Sequence, residues 1–174
     1  MNPTEPIWKS YIAETTRPIF TPQQCQMVIN KGMNLKKEEA RVGMQNPEGG
    51  LDIKKRITTI SWIPFKDMPE MYKDIEATML KANNNHFGFD GMRLTEVAQF
   101  THYLKGGFYD WHMDNDVLGK NQPPVRKISM TLLLSDPSTF EGGELEFMSK
   151  GKTAKLQQGQ AIFFASWLQH RVKP

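Results

Sequence analysis

Five segments rich in β-branched and aromatic residues crowd the last two thirds of the chain: 53–63 (IKKRITTISWI), 94–104 (LTEVAQFTHYL), 126–135 (RKISMTLLLS), 143–148 (GELEFM) and 160–172 (QAIFFASWLQHRV). Gly, Pro, Asn or Asp bounds each, so each reads as a strand between turns. The turn punctuation is Pro47-Glu48-Gly49-Gly50, Gly106-Gly107, Pro123-Pro124, Asp136-Pro137 and Gly142-Gly143. Helix signals come earlier. Thr21 is an N-cap with Pro22 at the first helical position and Gln24 closing a capping box, which predicts a helix over about 22–33 with Cys25, Val28 and Ile29 inward. A second helix is expected from Asp67 as cap, with Glu70 at its third position. Met71, Ile75, Met79 and Leu80 would face inward, and the helix would end near Asn83-Asn84-Asn85. Helices first and strands afterwards predict an α+β, mainly β chain: helices buttress one β-sandwich or barrel, and no alternating parallel sheet forms.

With 174 residues, one domain spanning 1–174 is expected, its helical support mainly in 20–85 and its β core mainly in 94–174. No internal repeat appears, which argues against solenoids and propellers. A charge of +3, from 22 basic and 19 acidic residues that are scattered, gives nucleic acid no concentrated face to bind. The densest basic triplet, Lys54-Lys55-Arg56, reads as a solvated loop flank. The run AIFFASWL at 161–168 is far shorter than the ~20 residues of a membrane helix. MNPTEPIWKS does not resemble a secretory leader. The lone Cys25 excludes an internal disulfide, and a cytoplasmic setting is expected. The eleven methionines lack helical spacing and read as core filler.

Chemistry-bearing residues concentrate late in the chain. His112 and Asp114 are two apart, so a strand would send both to one face. Such a pair is common at turns and strand edges, and it gains weight only from a third candidate ligand. His170 comes 58 residues later, just after the apolar strand 161–165. Two histidines and one carboxylate form the facial triad of non-haem Fe(II) oxygenases, which leaves open positions on one side of the metal. By strand alternation Gln99, Thr101 and Tyr103 share a face, as do Thr131 and Leu133. Trp111 and Trp167 are odd relative to the neighbouring histidines and should face away, as should Arg171 and Lys173. His102 should face outward or into the helix layer, and His86 reads as structural or solvated.

Four ordered blocks, YLKGGFYDWHMD (103–114), RKISMTLLLSD (126–136), EGGELEF (141–147) and GQAIFFASWLQHRV (159–172), resemble the Fe(II)/2-oxoglutarate-dependent dioxygenases, and within them the prolyl 4-hydroxylase-like branch. The likeness covers roughly 94–174, and TPQQC at 21–25 is similar to that family's N-terminal helix start. It implies a double-stranded β-helix (jelly-roll) core buttressed by N-terminal helices, with the metal at its open mouth. It also implies that His112, Asp114 and His170 bind iron, with no catalytic residue beyond these ligands. Tyr103 would reach the 2-oxoglutarate pocket, and Thr131 and Leu133 would line it. The implied cofactors are Fe(II), 2-oxoglutarate and O2, with ascorbate as a further candidate. An Arg or Lys nine or ten positions past the second histidine normally anchors the far carboxylate of 2-oxoglutarate. In this chain that position would fall beyond Pro174, and the reading expects the C-terminal end to be incomplete.

The resemblance implies hydroxylation of an unactivated C–H bond, with a prolyl residue of a peptide or protein as substrate. Segments 41–52 and 115–125 would be flanking lids. A free amino acid or small metabolite is the alternative substrate. A nucleic-acid demethylase is disfavoured by the dispersed charge, and a metal-binding jelly-roll module without turnover is the non-enzymatic alternative. No nucleic acid and no membrane partner are expected.

Overall fold

A computed structural model of the chain describes residues 10–39, 56–115, 125–148 and 152–174. The expected lid 41–52 and nearly all of the second one, 116–124, lie outside the described residues.

The element order is β1 (Ile12–Glu14), α1 (Pro22–Asn34), β2 (Glu38–Glu39), β3 (Arg56–Ile57), β4 (Thr59–Ile63), α2 (Pro69–Ala82), β5 (Ala98–His102), β6 (Phe108–His112), β7 (Ile128–Leu132), β8 (Leu145–Phe147), β9 (Lys152–Thr153), β10 (Ala161–Ala165) and β11 (His170–Val172). The capping box forms as read: Thr21 accepts from the Gln24 amide while the Gln24 side chain accepts from Thr21 N–H. Helix α2 differs. It begins one residue after Met68, which provides no side-chain cap, because Asp67 belongs to a 3-10 turn and pairs with Lys31 of α1 at 2.7 Å. Met71, Ile75 and Met79 are buried as expected, whereas Leu80 is 36% exposed and faces out. The asparagine run does not end the helix outright. It continues as a π-turn through Phe87, and Gly88 in the left-handed region terminates it.

The strands form three sheets in the orders β1-β10-β7, β3-β6-β11-β8-β9 and β2-β4-β5. All the pairings within them are antiparallel. Strand β10 (AIFFA) has both faces covered, which is why it reads as a continuous apolar run rather than an alternation. Ala161 and Phe163 pack outward with Met79 and Phe87 of the helical layer. Ile162 and Phe164 pack inward on Leu145 and Phe147 of the five-stranded sheet. A third cluster seats α1 and α2 through Cys25, Val28, Met71 and Ile75. Segment 160–172, read as one strand, is two: a turn at 166–169 separates β10 from β11 and carries the chain from one sheet to the other. Segment 53–63 is likewise broken between β3 and β4, at Thr58, with 53–55 outside the described residues. Among the described residues no helix is long and apolar enough to cross a membrane.

Candidate metal centre

The sheet change after β10 creates the site. His170 opens β11, and its antiparallel cross-strand partner is His112, the last residue of β6. Directly opposed residues point to one face, so the ladder itself brings two imidazoles together across 58 residues of chain; their rings lie 4.1 Å apart. Asp114 is not on the strand, contrary to the alternation argument. It sits in the bend after β6, and backbone tethers bring its carboxylate to the same point. The Asp114 and Asn115 amides both donate to the Ser166 carbonyl, at 3.0 and 3.1 Å. Ser166 is fully buried, and its hydroxyl donates to the Arg126 carbonyl at 2.7 Å. Arg126 pairs with Glu96 and donates to the Asp114 carbonyl at 3.3 Å.

Asp114 Oδ1 lies 3.7 Å from Nε2 of His112 and 3.7 Å from Nε2 of His170. That is too long for hydrogen bonds, and it is the spacing of donors that converge on a shared ion. One ligand atom from each of the three residues lies within 4.8 Å of the other two. Each histidine is held by its other nitrogen: Nδ1 of His112 is 2.8 Å from the Asp110 carbonyl, and Nδ1 of His170 is 2.9 Å from the Leu168 carbonyl. A carbonyl only accepts, so both Nδ1 atoms carry the proton and both Nε2 lone pairs face Asp114. Burial, then the neighbouring His170, pushes the His112 imidazole below its ordinary titration range, which keeps it a neutral ligand. The donor set of two imidazoles and a carboxylate therefore fits a divalent first-row metal bound on one face.

Tyr103, Thr131 and Leu133 border the same broad cleft as Asp114 and His170, a cleft that also reaches Val28 and Met79 of the helices. Thr131 pairs with Ile162 on the side of the sheet that faces the five-stranded sheet. Burial pushes the Tyr103 phenol up to about 12 against the opposing pull of the nearby Arg56 cation, so Tyr103 is a neutral donor at any ordinary pH. Arg171 and Lys173 turn away as expected and pair with Glu146 and Glu144. Trp111 also faces away, with the Arg171 guanidinium 4.7 Å over its ring. Trp167 packs edge-on against Tyr11 and Phe89.

Two residues in this region were not foreseen. Tyr109 is three residues before His112, and plain alternation would send it to the opposite face. The β6–β11 register slips by one residue between His170 and Val172, so Tyr109 opposes Val172 and stacks on His112 at 3.4 Å. Arg56, expected to be solvated, is 9% exposed and stands over Tyr109 with its Cζ 4.3 Å from the ring centroid. No signal in the sequence separates Arg56 from the lysines before it.

Known proteins resemble this chain in sequence and in fold. Residues 98–174 match the family model of the 2OG-Fe(II) oxygenase superfamily. A PKHD-type hydroxylase of Hyphomonas neptunium is 41% identical over 73 residues, 40% of this chain and 33% of that protein. Another from Teredinibacter turnerae is 38% identical over 80 residues, 44% of this chain and 35% of that protein. The chain thus spans about a third of the length of the curated relatives it matches. Among solved structures, the viral collagen prolyl hydroxylase of Paramecium bursaria Chlorella virus-1, in its 2OG complex, superposes with a TM-score of 0.71. It is 21% identical over 95% of this chain and 88% of that one. A Pseudomonas putida prolyl-4-hydroxylase gives 0.71 at 18% identity, over 94% and 85% of the two chains. At these identities the likeness is one of fold. Residues 98–174 thus resemble the 2OG-Fe(II) oxygenase superfamily. The fold is similar to that of the two prolyl hydroxylases.

Proposed function

We propose that the protein is an Fe(II)- and 2-oxoglutarate-dependent dioxygenase that hydroxylates an unactivated C–H bond, with a prolyl residue of a peptide or protein as the substrate. The observation that carries this reading is the convergence of His112, Asp114 and His170 with both Nε2 lone pairs turned inward. These three residues would hold the iron. The facing sheets β1-β10-β7 and β3-β6-β11-β8-β9 are read as the double-stranded β-helix of that family, with the site at its mouth.

The side chains divide the work. The Asp110 and Leu168 carbonyls keep each imidazole in its ligating tautomer, and the Ser166 carbonyl holds the Asp114 turn. Tyr103, a neutral hydroxyl, would donate to a carboxylate of 2-oxoglutarate, while Thr131 and Leu133 shape the wall behind it. When bound, the metal and cosubstrate supply the redox chemistry, in which O2 and 2-oxoglutarate give CO2, succinate and a C–OH bond. Ascorbate enters only as a reductant that keeps iron ferrous. The peptide reading draws support from a fold neighbour, a Trichoplax adhaerens prolyl hydroxylase in complex with a hypoxia-inducible-factor peptide fragment, with a TM-score of 0.66 at 15% identity.

The test is anaerobic addition of Fe(II) and 2-oxoglutarate, followed by admission of air with proline-containing peptides. A weak visible metal-to-ligand band and peptide-dependent succinate release are expected. Asp114→Asn should reduce both at least ~100-fold, since ligand loss removes a charged donor. Succinate release with free amino acids alone would move the substrate to a small metabolite. A wild-type protein without band or succinate would leave a metal-binding module at most.

A further inference from the structure

Arg56 is the described arginine whose burial is least explained by its partners. It is 9% exposed, and no ion pair among the described residues includes it. The two arginines with ion pairs, Arg126 and Arg171, have side chains 37% and 36% exposed. A buried guanidinium is costly unless an anion or a full set of acceptors compensates it. Here the partners are all uncharged. One terminal N–H donates to Gln99 Oε1 at 2.9 Å, the Tyr103 and Tyr109 hydroxyls bond to the guanidinium, the Tyr109 ring face takes part of the charge, and Nε has no partner among the described residues. Glu38 and Glu39 border a separate cavity of about 680 Å³ that Arg56 also touches, but neither carboxylate comes within ion-pair range. A metal on the triad would neutralise Asp114 and leave Arg56 without an anion on that side too.

The position is informative. Arg56 is the antiparallel partner of Tyr109, which stacks on His112, and it lines the same cavity as Tyr103, Thr131, Asp114 and His170. A guanidinium presents a planar fork of donors matched to a carboxylate, and the Tyr103 hydroxyl adds a neutral donor beside it. We propose that Arg56, with Tyr103, forms a carboxylate-binding subsite in the wall of the cavity next to the His112–Asp114–His170 cluster. The subsite deepens the dioxygenase reading and rests on it for the source of the carboxylate. That source is either the far end of 2-oxoglutarate or the free carboxylate of a small substrate. The chemistry is shared, and the ligands that test it are different.

The experiment compares wild type, Arg56→Gln and Arg56→Lys by titration calorimetry without oxygen, on Mn(II)-loaded protein. The probes are 2-oxoglutarate and 2-oxopentanoate, which chelates identically but ends in a methyl group. L-proline is compared with its amide, and succinate is titrated into metal-free protein. If the cosubstrate is held, Arg56→Gln weakens 2-oxoglutarate roughly 10–100-fold, as expected for a lost charge-assisted bond. Binding of 2-oxopentanoate is then unchanged, and Arg56→Lys falls between. If the substrate is held, 2-oxoglutarate is unaffected, and the preference for L-proline over its amide disappears instead. Equal affinities in wild type and Arg56→Gln for every carboxylate probe, with unchanged circular dichroism, overturn the subsite. If Arg56→Gln does not fold, the same comparison on Arg56→Lys decides. Arg56-dependent succinate binding by a wild-type protein that takes up no metal would keep the subsite and sink the dioxygenase reading.

Discussion

At the residue scale, the site is built from groups that must stay neutral next to groups that must stay charged. Tyr103 illustrates the balance: burial raises its pKa to about 12 while Arg56 works against that rise. An unfolded tyrosine loses its proton near 10, so the folded chain holds more protons than the unfolded one between about 10 and 12. The neutral phenol's contribution is therefore complete below pH 10 and is lost as pH rises through 12. Absorbance titration at 295 nm should show a tyrosine step near 12 that Tyr103→Phe removes, while Tyr72 and Tyr109, also raised by burial, keep theirs. A Tyr103→Phe profile identical to wild type would mean that the phenol is not buried as described. The triad was legible because its residue types and order are restrictive. The carbonyls that fix its tautomers were not, because every residue carries a carbonyl and only the folded backbone decides which one meets an imidazole.

At the element scale, close approaches set where the layers lie. The last turn of α1 lies against β4 and β5 through Gly32, whose carbonyl accepts from the buried Ser61 hydroxyl at 2.8 Å. A Cβ at Gly32 would collide with the Phe100 ring. In an isolated helix Gly32→Ala would gain about 1 kcal/mol. Here overpacking should reverse the sign, with a net loss of about 1–3 kcal/mol by chemical denaturation. Strand positions were readable from residue type, while their ends were not. Residues 160–172 look like one β segment because no Gly, Pro, Asn or Asp marks the turn between β10 and β11. Only the packing of two different sheets shows that the chain must turn at Ser166 to cross between them. The alternation rule failed at Tyr109 for a related reason: a bulge adds one residue and inverts the face.

For the whole molecule, the five-stranded sheet sets β6 and β11 side by side, and the metal reading makes that pairing the point where binding and folding couple. A ligand that binds only the folded state stabilises it by about 2.7 kcal/mol at a hundredfold excess over its dissociation constant. For a chain of this size that corresponds to roughly 5–11 °C in Tm, at about 2–4 °C per kcal/mol. Mn(II) at that excess should raise the wild-type Tm accordingly, read by differential scanning fluorimetry, and should leave Asp114→Asn unmoved. An equal shift in both proteins would place the metal elsewhere.

Residue chemistry did not suffice for β1, which precedes α1 and pairs with β10, but it did for a mostly β chain with two helices, for the α1 cap and for the three metal-type residues. These depend on propensity, on local hydrogen bonding and on which atoms can ligate, all of which travel with the residue itself. The burial of Arg56, the slip that turns Tyr109 inward and the tethering of Asp114 to Ser166 were decided only in three dimensions. Each depends on what lies across a sheet or a cavity, and neighbours brought together by folding leave no mark on the local sequence.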